Sequence, residues 1–190
     1  MSETTELGVL YTEYSSLRAM TPIASLWSYE TYARGRNRRS IALAADGSHE
    51  YWLDRSDPLL NTILPGTDVS LVVNFGDMWA TSRSLATSAF LPRVCVVGPV
   101  TQAQTLRVGR SIHAVGAGFQ SPLTRLVFGV PTSELVDRIV PLQDLWTRSE
   151  VERLLASLSR LEIRRSVLAL KHELVARTSR VSSPETVPRS

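Results

Sequence analysis

The sequence predicts an α+β protein: an antiparallel β-barrel or sandwich over residues 7–120, C-terminal helices over residues 121–178, and a disordered tail or linker over residues 179–190. Three observations carry that prediction. First, Pro65-Gly66-Thr67-Asp68 is a turn signal that opens the run Val69-Ser70-Leu71-Val72-Val73-Asn74-Phe75, and Gly76-Asp77 closes it. Val69, Leu71, Val73 and Phe75 alternate with Ser70, Val72 and Asn74, so both faces are mostly apolar and the strand belongs inside a sandwich or barrel. Second, turn signals recur from Val9 onward and leave roughly seven to nine short strands between them, the spacing of a β-layer. Third, past Gln120 the apolar spacing changes to three and four, which is helical.

Taken in order, Val9-Leu10-Tyr11 reads as an edge strand, and the run from Ile23 places Trp27 and Tyr29 two apart on one strand face. Arg34-Gly35-Arg36-Asn37-Arg38-Arg39 reads as a solvated hairpin loop, since it lacks the interleaved aromatics of a nucleic-acid surface. Ile41 with Leu43, and Glu50-Tyr51-Trp52-Leu53, give two short strands joined at Asp46-Gly47. Residues 78–88 are rich in Ser, Thr and Ala and predict a loop or a poorly patterned strand. Strands follow over 93–97 and 102–108, the latter with Gln104, Leu106 and Val108 on one face. In residues 111–119, His113, Val115, Ala117 and Phe119 share a face, while Ala114, Gly116 and Gly118 make the other face small enough for close approach.

Ser121-Pro122 predicts a helix start and Gly129 its end. Thr132 or Ser133 caps a second helix carrying Leu135, Val136 and Ile139, stopped by Pro141. Ser149 with Glu152 suggests a capping box for a third, with Val151, Leu154, Leu155, Leu158 and Leu161 at helical spacing. The stripe then shifts phase to Ile163, Val167, Leu170 and Leu174, which predicts a break near Leu161. This seam either docks on the β-layer or pairs with a second subunit.

The chain's 43% hydrophobic content over 190 residues supports one main core. Twenty of its 21 basic residues are arginine, a bias that composition accounts for without a phosphate-binding surface. Cys95 is the only cysteine, so no disulfide can form within the chain. No run approaches the roughly 18 apolar residues of a spanning helix, and a cytoplasmic protein is expected. His49, His113 and His172 lie far apart, so no metal site is expected, and no cofactor fingerprint or nucleophile elbow is present. The expectation is therefore a protein that is not an enzyme.

The ordered stretches Ser25-Leu26-Trp27-Ser28-Tyr29, Leu64-Pro65-Gly66-Thr67-Asp68, Val97-Gly98-Pro99-Val100-Thr101, Gly116-Ala117-Gly118-Phe119 and Gly129-Val130-Pro131-Thr132-Ser133-Glu134-Leu135-Val136-Asp137-Arg138 resemble the N-terminal sensory domain of AraC-type bacterial transcription regulators. Two departures stand out: Pro65-Gly66-Thr67-Asp68 replaces that pattern's Pro-Asp-Gly, and the paired helix-turn-helix motifs are absent from the 190 residues. The resemblance implies a cupin-like barrel that binds a small-molecule effector and helices that mediate dimerisation. A homodimer follows as the expected assembly, with DNA bound only through a helix-turn-helix domain absent from this chain.

Within that frame Trp27, Tyr29, Asn74, His113 and Phe119 are the candidate pocket residues, combining apolar walls with a few polar groups. Leu154, Leu158, Val167, Leu170 and Leu174 are the candidate dimer contact. Two alternatives stand beside it: a stand-alone cupin-like small-molecule-binding protein or enzyme, and an interaction module with a filled barrel.

Overall fold

The run at residues 69–75 becomes β6 (Val69–Asn74), a strand with apolar neighbours on both faces, and the other strands are arranged around it. The structure, a computed structural model, describes residues 7–14, 23–33, 42–43, 49–53, 60–84, 87–109, 111–159 and 161–182. The arginine loop at residues 34–39 and the Asp46-Gly47 turn fall outside the described residues.

In the larger sheet β6 is flanked by β9 (Val94–Val97) and β11 (His113–Phe119), both antiparallel to it. Beyond β11 come β2 (Ile23–Ala33), β1 (Leu7–Glu13), β4 (His49–Leu53) and β3 (Ala42–Leu43), and beyond β9 comes β12 (Ile139–Pro141). The smaller sheet runs in the order β5 (Leu60–Ile63), β10 (Gln104–Arg107), β7 (Ala80–Ser84), β8 (Thr87–Phe90). The layer is thus two antiparallel sheets that do not close into one barrel.

Several sequence expectations are corrected by pairing. β1, expected at an edge, lies between β2 and β4, because it pairs with β2 over Leu7 to Glu13 and with β4 over Val9 to Glu13. Of the two alternatives for residues 78–88, loop or poorly patterned strand, the second holds: β7 and β8 pair with each other. The helix expected over residues 132–141 is instead a 3-10 turn, Thr132–Leu135, followed by β12. Asp137 takes a left-handed φ of 56°, which ends the helical path, and Ile139, Val140 and Pro141 then pair with β9.

α1 (Ser121–Phe128) ends at Gly129 in the left-handed conformation, as its sequence predicts. α2 (Arg148–Leu158) is capped by Thr147, two residues before the expected Ser149, and the Glu150 carboxylate accepts from the Thr147 amide at 3.0 Å and hydroxyl at 2.8 Å. Thr147 wins because its own backbone is extended, as a cap requires. The phase shift near Leu161 is a true break, since α3 (Ile163–Ser182) starts a new helix. α3 continues past Thr178 to Ser182, and the remainder of the expected tail lies outside the described residues.

The helices cover one face of the larger sheet. Val69, Leu71, Val73, Val115, Ala117 and Phe119 meet Val127, Phe128, Leu154, Leu158, Val167, Leu170 and Leu174 in one buried cluster. Burying each such side chain stabilises the fold by about 1.5–3 kcal/mol, which makes this layer the main energetic support. The other face of the larger sheet looks toward the smaller sheet.

Candidate functional site

Strand alternation decides which residues can share a site. From the larger sheet, Trp27, Tyr29, Val72, Cys95, Val97 and Ala114 project into the layer between the sheets, where they meet Trp79, Leu91, Leu106 and Val108. Aromatic rings dominate one side of it. Tyr11 lies 6.4 Å from Trp27 and 5.6 Å from Tyr29, and Tyr29 lies 6.5 Å from Trp79, ring centre to ring centre. The buried indole N–H of Trp79 has no hydrogen-bond partner among the described residues. Gly116 is opposite Trp27 in the β11–β2 register, and a Cβ there would stand 2.2 Å from the indole. The small face of β11 therefore admits a neighbouring tryptophan ring.

Toward the β12 side lies a pocket of about 480 Å³ that is open to solvent. Thr81, Ala89, Phe90 and Gln104 line it from the smaller sheet, Leu91 and Pro92 from the segment after β8, Asp137 from the segment leading into β12 and Ile139 from β12 itself. The register that pairs Leu106 with Thr81 and Thr81 with Ala89 sets these residues on the inward face, with Gln104 two positions from Leu106 on the same side. Gln104 is 7% exposed and gives the cavity a carboxamide, while Thr81 adds a hydroxyl.

Asp137 is held in place by the turn it faces. Its Oδ1 accepts from the Thr101 amide at 2.9 Å, its Oδ2 from the Thr101 hydroxyl at 2.5 Å, and its own amide donates to the Pro99 carbonyl at 2.7 Å. The Gly98 amide also donates to the Arg138 carbonyl at 3.0 Å, and a Cβ on Gly98 would collide with the Leu135 carbonyl oxygen at 1.7 Å. Glycine is what lets the two segments touch. The Gly66 amide and the Val100 carbonyl are joined at 2.9 Å, so three stretches singled out in the sequence meet beside the cavity.

The candidate pocket residues divide between the two faces of the larger sheet. Trp27 and Tyr29 lie in the inter-sheet layer, beyond the cavity lining. Asn74 is on the same face, but its amide donates to the Asp77 carbonyl at 2.7 Å and its Oδ1 accepts from the Gly76 amide at 3.0 Å, so it secures the turn after β6. His113 and Phe119 have the opposite parity and face the helices: His113 packs edge-on against Phe75 at 5.7 Å, and Phe119 against Phe128 at 5.1 Å. One strand cannot send residues of both parities into one cavity. Leu154, Leu158, Val167, Leu170 and Leu174 are each no more than 1% exposed and pack within the chain's own helix-facing core. Of the two roles open to this seam, docking on the β-layer is the one the structure displays.

The cavity residues Thr81, Ala89, Leu91, Asp137 and Ile139 were not legible as a group, although the alternation of residues 102–108 does mark Gln104 as inward. Burial pushes the Cys95 thiol up to about 12, so this inter-sheet sulfur stays protonated at neutral pH and is no nucleophile. Among the described residues no group of three or more His, Cys, Asp or Glu side chains is placed to hold a metal ion, and no helix is long and apolar enough to cross a membrane.

No curated protein and no solved structure significantly matches the chain. The family model described as a domain of unknown function, DUF6597, matches residues 48–141, a span that runs from β4 through β12 and includes every residue lining the cavity.

Proposed function

We propose that the chain is the ligand-sensing and dimerisation domain of an AraC-type transcription regulator, with a small effector held in the cavity between the two sheets. The observation that carries this reading is the pocket itself: an open concave space of about 480 Å³ lined by apolar side chains together with a carboxamide, a hydroxyl and a carboxylate, in the size range of small-molecule sites. The motif stretches behind the resemblance meet at residues 97–101 and 129–138, and Asp137 from the second lines the cavity. On this reading DNA contact belongs to a helix-turn-helix domain outside these 190 residues, and the protein works in the cytoplasm.

The test is a thermal-denaturation screen of small metabolites against the chain and against Ala89→Trp, which fills the cavity. At least one compound should raise Tm for the parent and leave the variant unmoved. Compounds that stabilise both alike would sink the cavity as the effector site.

Dimerisation on this reading uses the outward side of α3, since the inward leucines are already engaged. Leu168 is the apolar residue there, 45% exposed between Arg164, Arg165 and His172. Sedimentation of Leu168→Glu should show a lower mass than the parent at equal concentration, and an unchanged mass removes this face from the contact. The rival reading, an interaction module with a filled interior, draws on Trp27, Tyr29 and Trp79 already occupying part of the inter-sheet layer. Stabilisation that depends on Ala89 separates the two.

A further inference from the structure

We propose that the ring-rich part of the inter-sheet layer is a binding site separate from the open pocket, that it takes a flat apolar molecule carrying one hydrogen-bond acceptor, and that the Trp79 indole N–H receives that acceptor. None of Tyr11, Trp27, Tyr29 and Trp79 lines the pocket. Trp79 is 5% exposed, and its indole nitrogen is buried without a hydrogen-bond partner among the described residues. On the other face of the larger sheet the buried indole of Trp146 is satisfied, donating to the Val127 carbonyl at 3.1 Å. A buried donor left unmet is costly, and an indole offers nothing but this donor. The backbone fixes where it stands, since the Leu91 amide donates to the Trp79 carbonyl at 2.8 Å just before β7.

A trapped water is a poor answer to this donor. The buried cluster to which Trp79 belongs is built from side chains such as Val72, Leu91, Leu106, Val108 and Ile112, whereas a buried water needs two to four polar partners. A ligand needs to supply only one acceptor. Access lies on the β1 and β2 side: Tyr11, Trp27 and Tyr29 are only half-buried, while Val72, Cys95 and Ala114 on the same layer are buried. Tyr11 stands opposite Tyr29 in the β1–β2 register, so both rings share the inward face. Tyr29 meets Trp79 edge-on at 6.5 Å, which makes it the ring an entering molecule must pass.

The four rings, with centres 5.6–6.5 Å apart in successive contact, offer faces and edges to a flat aromatic body. A cation could use the same faces, but it carries no acceptor and leaves the indole unmet. An aromatic carbonyl compound answers both demands.

Titration of the full chain with 2-acetylnaphthalene, with 2-isopropenylnaphthalene, in which a methylene replaces the carbonyl oxygen, and with trimethyl(2-naphthyl)ammonium tests this, followed by NMR at the indole N–H resonances. The ketone should bind about tenfold more tightly than either of the others and move the Trp79 N–H signal downfield. Trp79→Phe, which keeps a ring but not the donor, identifies that signal and should bring the ketone to parity with the alkene, with circular dichroism confirming the fold. Ala89→Trp should leave ketone binding unchanged. Parity of the three probes on the parent, a ketone advantage that survives Trp79→Phe, or no binding by any of them overturns the site. Ketone binding lost in Ala89→Trp also overturns it, by placing the probe in the open pocket, and leaves the pocket reading standing.

Discussion

The two faces of the larger sheet are packed in opposite ways. Toward the helices, β-branched and leucine side chains from β6, β9 and β11 interlock with α1, α2 and α3, and Val167, Leu170 and Leu174 are fully buried. Toward the smaller sheet the partners are large rings and scattered polar groups, and an open pocket lies beside Gln104 and Asp137. Dense aliphatic packing stabilises and tolerates little change, whereas a looser mixed layer yields less stability and leaves room for a ligand. Tight packing and open space thus lie on different sides of one sheet, which on the proposed reading separates stability from recognition.

The most severe test of that division is Leu170→Ala. The site is fully enclosed between α3 and the sheet, so unfolding in urea should show a loss of about 2–5 kcal/mol. Leu91→Ala, beside the cavity, should cost clearly less, because its surroundings are already incompletely packed. Equal losses would abolish the distinction between the two layers.

Next in size is Arg177, which joins three helical segments at the rim of the helix-facing core. Its Nε donates to the Val127 carbonyl at 2.8 Å, its guanidinium pairs with Glu150, and its Cζ lies 4.2 Å over the Trp146 ring. The same carbonyl accepts from the Trp146 indole at 3.1 Å. Arg177→Ala should destabilise by about 1–3 kcal/mol in urea unfolding. Arg177→Lys should recover only part of this, since lysine cannot serve carbonyl, carboxylate and ring together; full recovery would reduce the site to a point charge.

A smaller effect is expected from pH. Burial alone would raise the Glu150 carboxyl, but the bonds from the Thr147 hydroxyl and amide, together with the Arg177 guanidinium, outweigh it and hold the group below the usual carboxylate range. A carboxyl lowered in the folded state contributes full stability above its unfolded pKa and loses that contribution as pH falls through the folded value. Glu150→Gln should therefore be less stable than the parent at pH 7, with the gap narrowing as the pH falls below the ordinary carboxylate range. A gap that stays constant down to pH 2 would show that packing, not charge, holds this junction.

Much of the helix-facing layer was legible in the sequence because periodicity reports directly on burial. Val69, Leu71 and Val73 alternate as they must, and the stripe from Ile163 to Leu174 names the side of α3 that docks. The candidate site was far less legible. Trp27, Tyr29, Asn74, His113 and Phe119 do not share one cavity, because strand parity sends His113 and Phe119 to the helices. Thr81 and Ala89 lie in a stretch with no apolar rhythm, and they gain meaning only by pairing with β10.

The sequence by itself determined that a strand-rich stretch ending near residue 119 precedes the first helix, that β6 is buried on both faces and that the helical stripe breaks near Leu161, since each follows from the spacing of apolar residues along one segment. Tertiary structure alone decided that the strands form two sheets that stay open, that residues 139–141 join the larger sheet as a strand, and that the cavity lies where Gln104 meets Asp137. These outcomes depend on hydrogen bonds between segments distant along the chain, such as Asp137 with Thr101 and Gly98 with Arg138. Local periodicity carries no record of which distant partner a strand edge will find.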